Sequence, residues 1–112
     1  MLYGESQFQQ AVVRYLRLNN IFVFSVPNGV KLKLTQARIA VAEGLSRGCS
    51  DVIVLLPKGR AVFVEFKNPN GKGRQSDSQK EFEQKVKELG FEYYVWNNWD
   101  IVEKFVKDIK IA

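Results

Sequence analysis

Three charged residues, Asp51, Glu65 and Lys67, lie in two short apolar segments that a tight turn can fold together. In the resulting hairpin Asp51 would lie opposite Glu65, and the strand period of two would place Lys67 on the same face. Directly opposed residues have Cβ atoms about 4.5–5.5 Å apart, where like charges destabilise a sheet. Two carboxylates held beside an ammonium group indicate a divalent-cation site. The alternative is a solvated ion pair between Glu65 and Lys67, worth less than about 1 kcal/mol.

The two segments that carry these residues, 51–56 and 61–67, are predicted β-strands. A three-residue loop, formed by a type I turn and then a left-handed residue, suits Pro57 at its start and Gly59 at its end. The second strand is apolar on both faces, which predicts a buried, central strand. A charge near the end of such a strand needs a partner or a metal ion.

The composition limits the chemistry that the chain can perform. Its 112 residues, 46% of them hydrophobic, predict one domain over residues 1–112 with a single core. There is no histidine and one cysteine, Cys49, so zinc sites of the usual Cys/His type and Ser-His-Asp triads are excluded. No internal disulfide can form, and no segment is typical of a membrane span or a signal peptide. We therefore expect a cytoplasmic protein without a membrane partner.

Basic residues flank the predicted hairpin on both sides in the sequence. The formal net charge is +5, from 17 Lys and Arg against 12 Asp and Glu. A phosphate backbone is a natural partner for such a surface, although ordinary solvated lysines are the alternative. The candidate nucleic-acid-binding residues are Lys31, Lys33, Arg38 and Arg47 before the hairpin, and Lys72 and Arg74 after it.

The remaining periodicity predicts helices and strands in the order α-β-α-β-β-α-β-α. Strands are expected over residues 21–26 and 91–96, in addition to the hairpin. Helices are expected to begin at Glu5, at a Thr35 cap, at a Ser76 cap and at an Asn98 cap. This mixture predicts an α/β fold, with a central mixed β-sheet of about four strands flanked by helices.

Two further polar side chains fall on the apolar faces of predicted helices. Glu5 lies one turn before Phe8, although a helix N-terminus alone would also favour a carboxylate there. Gln79 lies three residues before Phe82, but Ser76-x-x-Gln79 also matches a capping box, in which Gln79 bonds back to the Ser76 amide. The sequence leaves both roles of Gln79 open.

The ordered set of these residues resembles the VRR-NUC domain of the PD-(D/E)xK nuclease superfamily. The matching elements are Glu5, Gly44-x-x-x-Gly48-x-x-Asp51, Glu65-x-Lys67 and Ser76-x-x-Gln79. The resemblance covers nearly the whole chain and implies a restriction-endonuclease-like fold. It implies that Asp51 and Glu65 bind Mg²⁺ or Mn²⁺ and that Lys67 positions or activates the water. Glu5 and Gln79 would complete the site.

The chemistry that these groups predict is hydrolysis of a phosphodiester bond in DNA. A hard cation held by Asp51, Glu65 and the carbonyl of Phe66, with Glu5 beside it, would lower the pKa of bound water and withdraw charge from the phosphate. Lys67 would orient the attacking water. The alternative is a catalytically silent nucleic-acid-binding module that retains the nuclease fold.

Family members of this minimal size resemble stand-alone, often phage-encoded forms. The resemblance implies a homodimer that acts on branched DNA, such as Holliday junctions or flaps, and two-fold symmetry would supply two active sites. Two departures stand out. Ser50 occupies the place of a proline that many members have before the aspartate. Residues 95–98, Val-Trp-Asn-Asn, replace a Val-Arg-Arg-like segment, which leaves open any substrate contact that those arginines make.

Overall fold

The computed structural model describes residues 4–26 and 33–111 of the chain. Within those residues the chain forms four helices and four strands in the predicted order. They are α1 Glu5–Leu18, β1 Phe22–Ser25, α2 Leu34–Ala42, β2 Val52–Leu56, β3 Arg60–Phe66, α3 Asp77–Glu88, β4 Glu92–Trp96 and α4 Trp99–Ile111. In this part of the chain, no helix has the length and apolar character that crossing a membrane requires.

The strands form one mixed sheet in the order β1-β2-β3-β4, which confirms the predicted fold class. β2 pairs antiparallel with both β1 and β3, whereas β3 and β4 are parallel. A parallel pair requires a long crossover, and the segment that contains α3 supplies it. β3 is therefore an interior strand, as its apolar sequence predicts, and the site at its end is held on both sides.

One face of the sheet packs against α1 and α4. The residues buried there include Phe8, Val12 and Leu16 of α1, Val102, Phe105 and Val106 of α4, and Val23, Val52, Val54, Val62 and Val64 of the sheet. The ring of Phe8 meets that of Phe66 edge-on with centroids 5.8 Å apart, a geometry worth about 0.5–1.5 kcal/mol beyond burial. Because Phe66 ends β3, this contact holds the first turn of α1 beside the candidate site.

The hairpin turn differs from the predicted type. Leu56 pairs with Arg60 across a three-residue turn, Pro57–Gly59. Gly59 is left-handed as expected, with φ 75°, but Lys58 is left-handed too, with φ 65° and ψ 28°. The type I prediction is therefore wrong, since that turn needs right-handed backbone at Lys58. The strand pairing fixes the register even though this side chain sits in an unfavourable conformation.

Two predicted helix details are also wrong. α2 begins at Leu34, because the Lys33 backbone N–H donates to Gln36 Oε1 at 3.2 Å and makes Lys33, rather than Thr35, the N-cap. The spacing of Phe82, Val86 and Leu89 predicts that all three lie on the apolar face of the helix, but Leu89 is 75% exposed, since α3 ends at Glu88 and Leu89 is already its C-cap.

The helix α2 and the strand β1 leave apolar side chains on the surface. No residue of α2 is buried, and Leu34 and Ile39 are 67% and 59% exposed. Phe22 of β1 and Leu55 of β2, which pair across the sheet, are 64% and 43% exposed. These residues contrast with the closed core on the other face of the sheet.

Candidate active site

The hairpin register brings the two predicted carboxylates together. β2 and β3 pair Val52 with Val64, so Asp51 and Glu65 occupy the next pair of opposed positions. Asp51 Oδ2 accepts a hydrogen bond from the Phe66 backbone N–H at 2.7 Å, and the Asp51 carbonyl accepts one from Val26 at 2.8 Å. Burial raises the pKa of Asp51, while the Phe66 N–H and the positive charge of Lys67 oppose that rise. Asp51 is thus held from two sides.

Glu65 is fully buried near the end of β3 that lies away from the hairpin turn. Among the described residues, neither of its carboxylate oxygens has a hydrogen-bond donor in standard geometry. The Lys67 ammonium lies 3.7 Å from Oε2. Burial raises the pKa of Glu65, Lys67 lowers it and Asp51 raises it further, with smaller lowering effects from the nearby Tyr93 hydroxyl and Gln75 amide. With one ion pair at 3.7 Å and no close hydrogen bond, this buried carboxylate is only partly compensated, and a further cation would stabilise it.

Lys67 and Gln79 form one unit with the start of α3. Gln79 Oε1 accepts from Lys67 Nζ at 3.2 Å and from the Ser76 backbone N–H at 2.8 Å. In return, Ser76 Oγ accepts from the Gln79 backbone N–H at 3.3 Å. The predicted capping box is therefore present, and the same amide oxygen also holds the lysine. The two roles that the sequence left open are compatible.

A close backbone contact locks the loop before Asp51 against α3. Gly48 has φ +75°, and a Cβ atom there would lie 2.1 Å from the Ser78 carbonyl oxygen and 2.6 Å from the Gln79 backbone nitrogen. Real Cβ atoms do not approach this closely, and the conformation itself disfavours other residues. Gly48 therefore determines how near Asp51 lies to Gln79. The sequence pattern contains this glycine but does not reveal the contact.

These elements enclose a cleft of about 450 Å³. Glu5, Asp51 and Gln79 line it, together with the loop residues 45–49. Glu65 and Lys67 do not line it, but Lys67 contacts Gln79 directly. Burial raises the pKa of Glu5, the charge of Lys67 lowers it, and the charge of Asp51 raises it. All five predicted catalytic residues are therefore linked to one another, through the shared cleft, the hydrogen bond between Lys67 and Gln79, or the charge interactions with Lys67.

Sequence and structure comparisons agree on the relationship of this chain. The profile of the VRR-NUC domain matches residues 5–99. The chain belongs to the VRR-NUC domain family.

Two solved structures of VRR-NUC proteins are similar to this chain. One, described as a "VRR_NUC domain", has a TM-score of 0.67 and 20% identity, and the match covers 92% of this chain and 94% of that one. Another, described as a "VRR_NUC domain protein", has a TM-score of 0.74 and 18% identity, with 96% and 88% covered. Identities this low show the fold. A comparison with curated proteins gave no match.

The predicted nucleic-acid-binding residues differ in where they lie relative to the candidate active site. Arg47 lines the cleft. Lys72 and Arg74 are exposed on either side of Gly73, where an added Cβ would lie 3.1 Å from Lys67 Cδ. Lys33 and Arg38 are exposed at the start and along the length of α2. Lys31 lies outside the described residues.

The departures from the usual VRR-NUC sequence have structural explanations. Ser50 is fully buried, and its hydroxyl donates to the Val52 carbonyl at 3.1 Å, so a side chain replaces the proline in shaping the entry to β2. Trp96 is buried within the core cluster. Cys49 lines the cleft, and burial raises the pKa of its thiol.

Sequence reasoning missed Gln75 and Tyr93, which lie near Glu65. Gln75 Nε2 donates to Glu83 Oε1 at 2.9 Å and to the Tyr93 hydroxyl at 3.4 Å. β4 pairs Tyr93 with Phe63, which puts Tyr93 on the face of the sheet that carries Glu65. The sequence does not reveal this proximity, because the register between β3 and β4 depends on how the long crossover through α3 places the two parallel strands.

Proposed function

We propose that this VRR-NUC chain is a metal-dependent endonuclease that hydrolyses phosphodiester bonds in DNA. The observation that carries the proposal is the burial of Glu65 opposite Asp51: among the described residues neither Glu65 oxygen accepts a hydrogen bond in standard geometry, and Lys67 Nζ approaches Oε2 only to 3.7 Å. A carboxylate with a purely structural role would be fully hydrogen-bonded or solvated, because an incompletely compensated buried charge is unfavourable.

The donor set fits a hard divalent cation, Mg²⁺ or Mn²⁺. In residues 4–26 and 33–111, no three His, Cys, Asp or Glu side chains are close enough to form a metal centre by themselves. The candidate ligands are Asp51, Glu65 and the carbonyl of Phe66, with Glu5 at the edge of the cleft. Mg²⁺ usually takes one or two carboxylates and keeps several waters, so a small all-oxygen set suits it. When bound, the cation supplies Lewis acidity and a water of lowered pKa.

The chain's own residues orient the reaction. The hydrogen bond from the Phe66 N–H to Oδ2 fixes the orientation of the Asp51 carboxylate, which lines the cleft. Gln79 holds the Lys67 ammonium near Glu65, where it can orient an attacking water and offset negative charge on a phosphate. The capping box fixes Gln79 itself. Positioning of this kind lowers the entropic cost of reaching the transition state.

DNA is the proposed substrate because one cation lines the cleft and two others lie on a loop that contacts Lys67. Arg47 lines the cleft, and Lys72 and Arg74 lie on the loop that packs over Lys67. Each cation can contact a phosphate and release counterions. Branched DNA, such as Holliday junctions or flaps, is the substrate class that the family resemblance implies, and we propose it for this chain.

We further propose that the chain acts as a homodimer, which would place two sites on one branched substrate. The exposed apolar side chains of α2 and of the β1–β2 edge support this, since aromatic and aliphatic residues favour interfaces. Light scattering should give twice the chain mass for the wild type. Phe22→Asp, at a 64% exposed position, should give monomers with an unchanged melting temperature. A monomeric wild type would contradict the proposed dimer.

A cleavage panel tests the proposed activity. Flap, fork, four-way and linear DNAs are incubated with the protein and Mg²⁺, Mn²⁺ or EDTA. We expect cleavage of branched DNA with either cation and none with EDTA. Lys67→Ala should lose turnover but retain DNA binding, because one lysine is a small part of the phosphate-contacting surface. Binding without cleavage by the wild type under every condition would identify a catalytically silent nucleic-acid-binding module instead.

A further inference from the structure

A second cleft, larger than the one at the active site, runs along α1. Its volume is about 620 Å³, and all but one of its lining residues belong to α1. The exception is Ser25 of the edge strand β1. We call this cleft the α1 groove. Its described lining contains none of the basic residues that the sequence pattern assigned to nucleic-acid binding.

The polar side chains of the α1 groove follow one face of the helix. Ser6, Gln10, Arg14 and Arg17 line it at spacings of four, four and three residues, so they lie one above another. Gln10 Nε2 donates to Ser6 Oγ at 3.1 Å. Among the described residues that line the groove none is acidic, so its two guanidinium groups give this lining a positive charge.

The α1 groove and the active-site cleft are lined by neighbouring residues at two points. Ser6 follows Glu5 in the chain, and Glu5 lines the active-site cleft. On the other wall, Ser25 pairs with Val52, and the next residue, Val26, donates its backbone N–H to the Asp51 carbonyl at 2.8 Å. The shortest route for a DNA strand that leaves the cleft beside Glu5 and Asp51 therefore runs toward the α1 groove.

The length of the groove suits a run of phosphates. Ser6 and Arg17 are eleven residues apart, which corresponds to about 16 Å along a helix. One DNA strand carries a phosphate about every 3.4 Å along its axis, so the groove spans about five nucleotides. Arginine binds phosphate through paired N–H donors, and serine and glutamine commonly add hydrogen bonds to the backbone.

Arg17 also has a structural contact. Its Nη2 donates to the Val23 carbonyl at 3.3 Å, on the edge strand. This bond covers part of an open sheet edge, but a guanidinium has five N–H donors and the others remain free for a ligand. Arg14 is exposed on the same helix face. A substitution at Arg14 therefore tests binding in the groove without removing a contact to the sheet.

We propose that the α1 groove binds the phosphate backbone of a DNA arm, about five nucleotides long, that extends from the cleavage site. This inference rests on the proposed nuclease function, because it concerns the path of that substrate. The chemistry recognised is the sugar-phosphate backbone, so the groove adds affinity and orientation without sequence preference.

The test measures binding separately from cleavage. In a Lys67→Ala background with EDTA, fluorescence anisotropy follows binding of a four-way DNA over a range of salt concentrations. Arg14→Gln should weaken binding about three- to tenfold and reduce the log–log salt slope by about 0.9, as expected for one lost phosphate contact. Lys107→Gln is the control, since Lys107 is an exposed cation of α4 that does not line the groove. It should change neither quantity, and both variants should melt like the parent.

Arm length provides a second test. Shortening the DNA arms to fewer than about five nucleotides beyond the cut should abolish the effect of Arg14→Gln.

An unchanged salt slope for Arg14→Gln, or an equal loss of binding for Lys107→Gln, would overturn the proposal. So would a variant that binds DNA normally but loses binding to a polyglutamate peptide, since the groove would then bind acidic protein. Arg14-dependent binding by a wild type that cleaves nothing would overturn the nuclease function and leave the groove as a DNA-binding site.

Discussion

Asp51 and Glu65 occupy opposed positions at one end of the same hairpin, but the protein surrounds them differently. The Asp51 carboxylate accepts a hydrogen bond from the Phe66 backbone N–H and lines the cleft. Glu65 is fully buried, and within the part of the chain that the structure describes its oxygens accept no hydrogen bond in standard geometry, with Lys67 Nζ 3.7 Å from Oε2. The comparison shows that a symmetric pattern of charges can produce one carboxylate fixed by a backbone hydrogen bond and one that is buried with little compensation. The substitutions below change one of the two carboxylates or the residues that position them.

The largest effect is expected on cleavage when either carboxylate loses its charge. Asp51→Asn and Glu65→Gln should each reduce the rate by about a thousandfold, because several kcal/mol of cation-dependent stabilisation correspond to about three powers of ten in rate. Single-turnover cleavage of a four-way DNA measures this. If both variants cleave with Mg²⁺ at the wild-type rate, the site is wrongly assigned.

The second prediction displaces the Asp51 side from α3. Gly48→Ala would force the loop away from the Ser78 carbonyl, and we expect a loss of about 2–3 kcal/mol in unfolding free energy together with slower cleavage. Gly59→Ala is a matched control, because Gly59 has the same φ of +75° but has no atom within 4 Å of an added Cβ. Urea denaturation of both variants separates the steric clash from backbone strain. Equal losses would mean that the contact with α3 contributes nothing.

The third prediction places a negative charge at the contact that holds Lys67. Gln79→Glu keeps an oxygen for both Lys67 and Ser76, so the melting temperature should hardly change. The added charge near Asp51 and Glu5 would repel phosphate by about 1–2 kcal/mol, which is roughly tenfold in rate at low Mg²⁺. Full activity with unchanged stability would restrict Gln79 to capping.

The smallest effect should appear in the stability of the metal-free protein. Neutralising either carboxylate removes a group whose pKa is raised by burial. Glu65→Gln should therefore raise the free energy of unfolding more than Asp51→Asn does, by about 1 kcal/mol, because the Phe66 N–H already compensates Asp51. Urea denaturation in EDTA measures the difference. A larger gain from Asp51→Asn would reverse the comparison.

The same groups give this stability a defined pH dependence. A raised pKa in the folded state means that the folded chain keeps the Glu65 proton above its ordinary pKa of 4.5. The contribution of Glu65 to stability is thus fully present below pH 4.5 and is lost as the pH rises through the folded value. Glu65→Gln should flatten this decline between pH 4.5 and 8 in EDTA. An identical slope in the variant would show that Glu65 does not titrate abnormally.

Local patterns explain which features the sequence could predict. Turn length and strand alternation are properties of neighbouring residues, so the opposition of Asp51 and Glu65 could be inferred from residues 51–67. The contacts of Gly48 with Ser78 and of Lys67 with Gln79 depend on where α3 docks, and no local pattern encodes that. Pairing of β2 with β3 overrode the conformational preference of Lys58. The exposure of the apolar side chains of α2 could not be predicted either. Periodicity indicates that a helix has an apolar face, but it does not show whether another element covers that face.

The direction of the β2–β3 hairpin has a kinetic consequence. The turn at Pro57–Gly59 closes the shortest loop in this part of the chain, so pairing should begin there and proceed toward the carboxylates. The repulsion between Asp51 and Glu65 then develops late, after the transition state has formed most valine contacts. Removing it should slow unfolding and leave the folding rate almost unchanged. The charged end of the hairpin would thus control how long the native state persists, while the turn controls how fast it is reached.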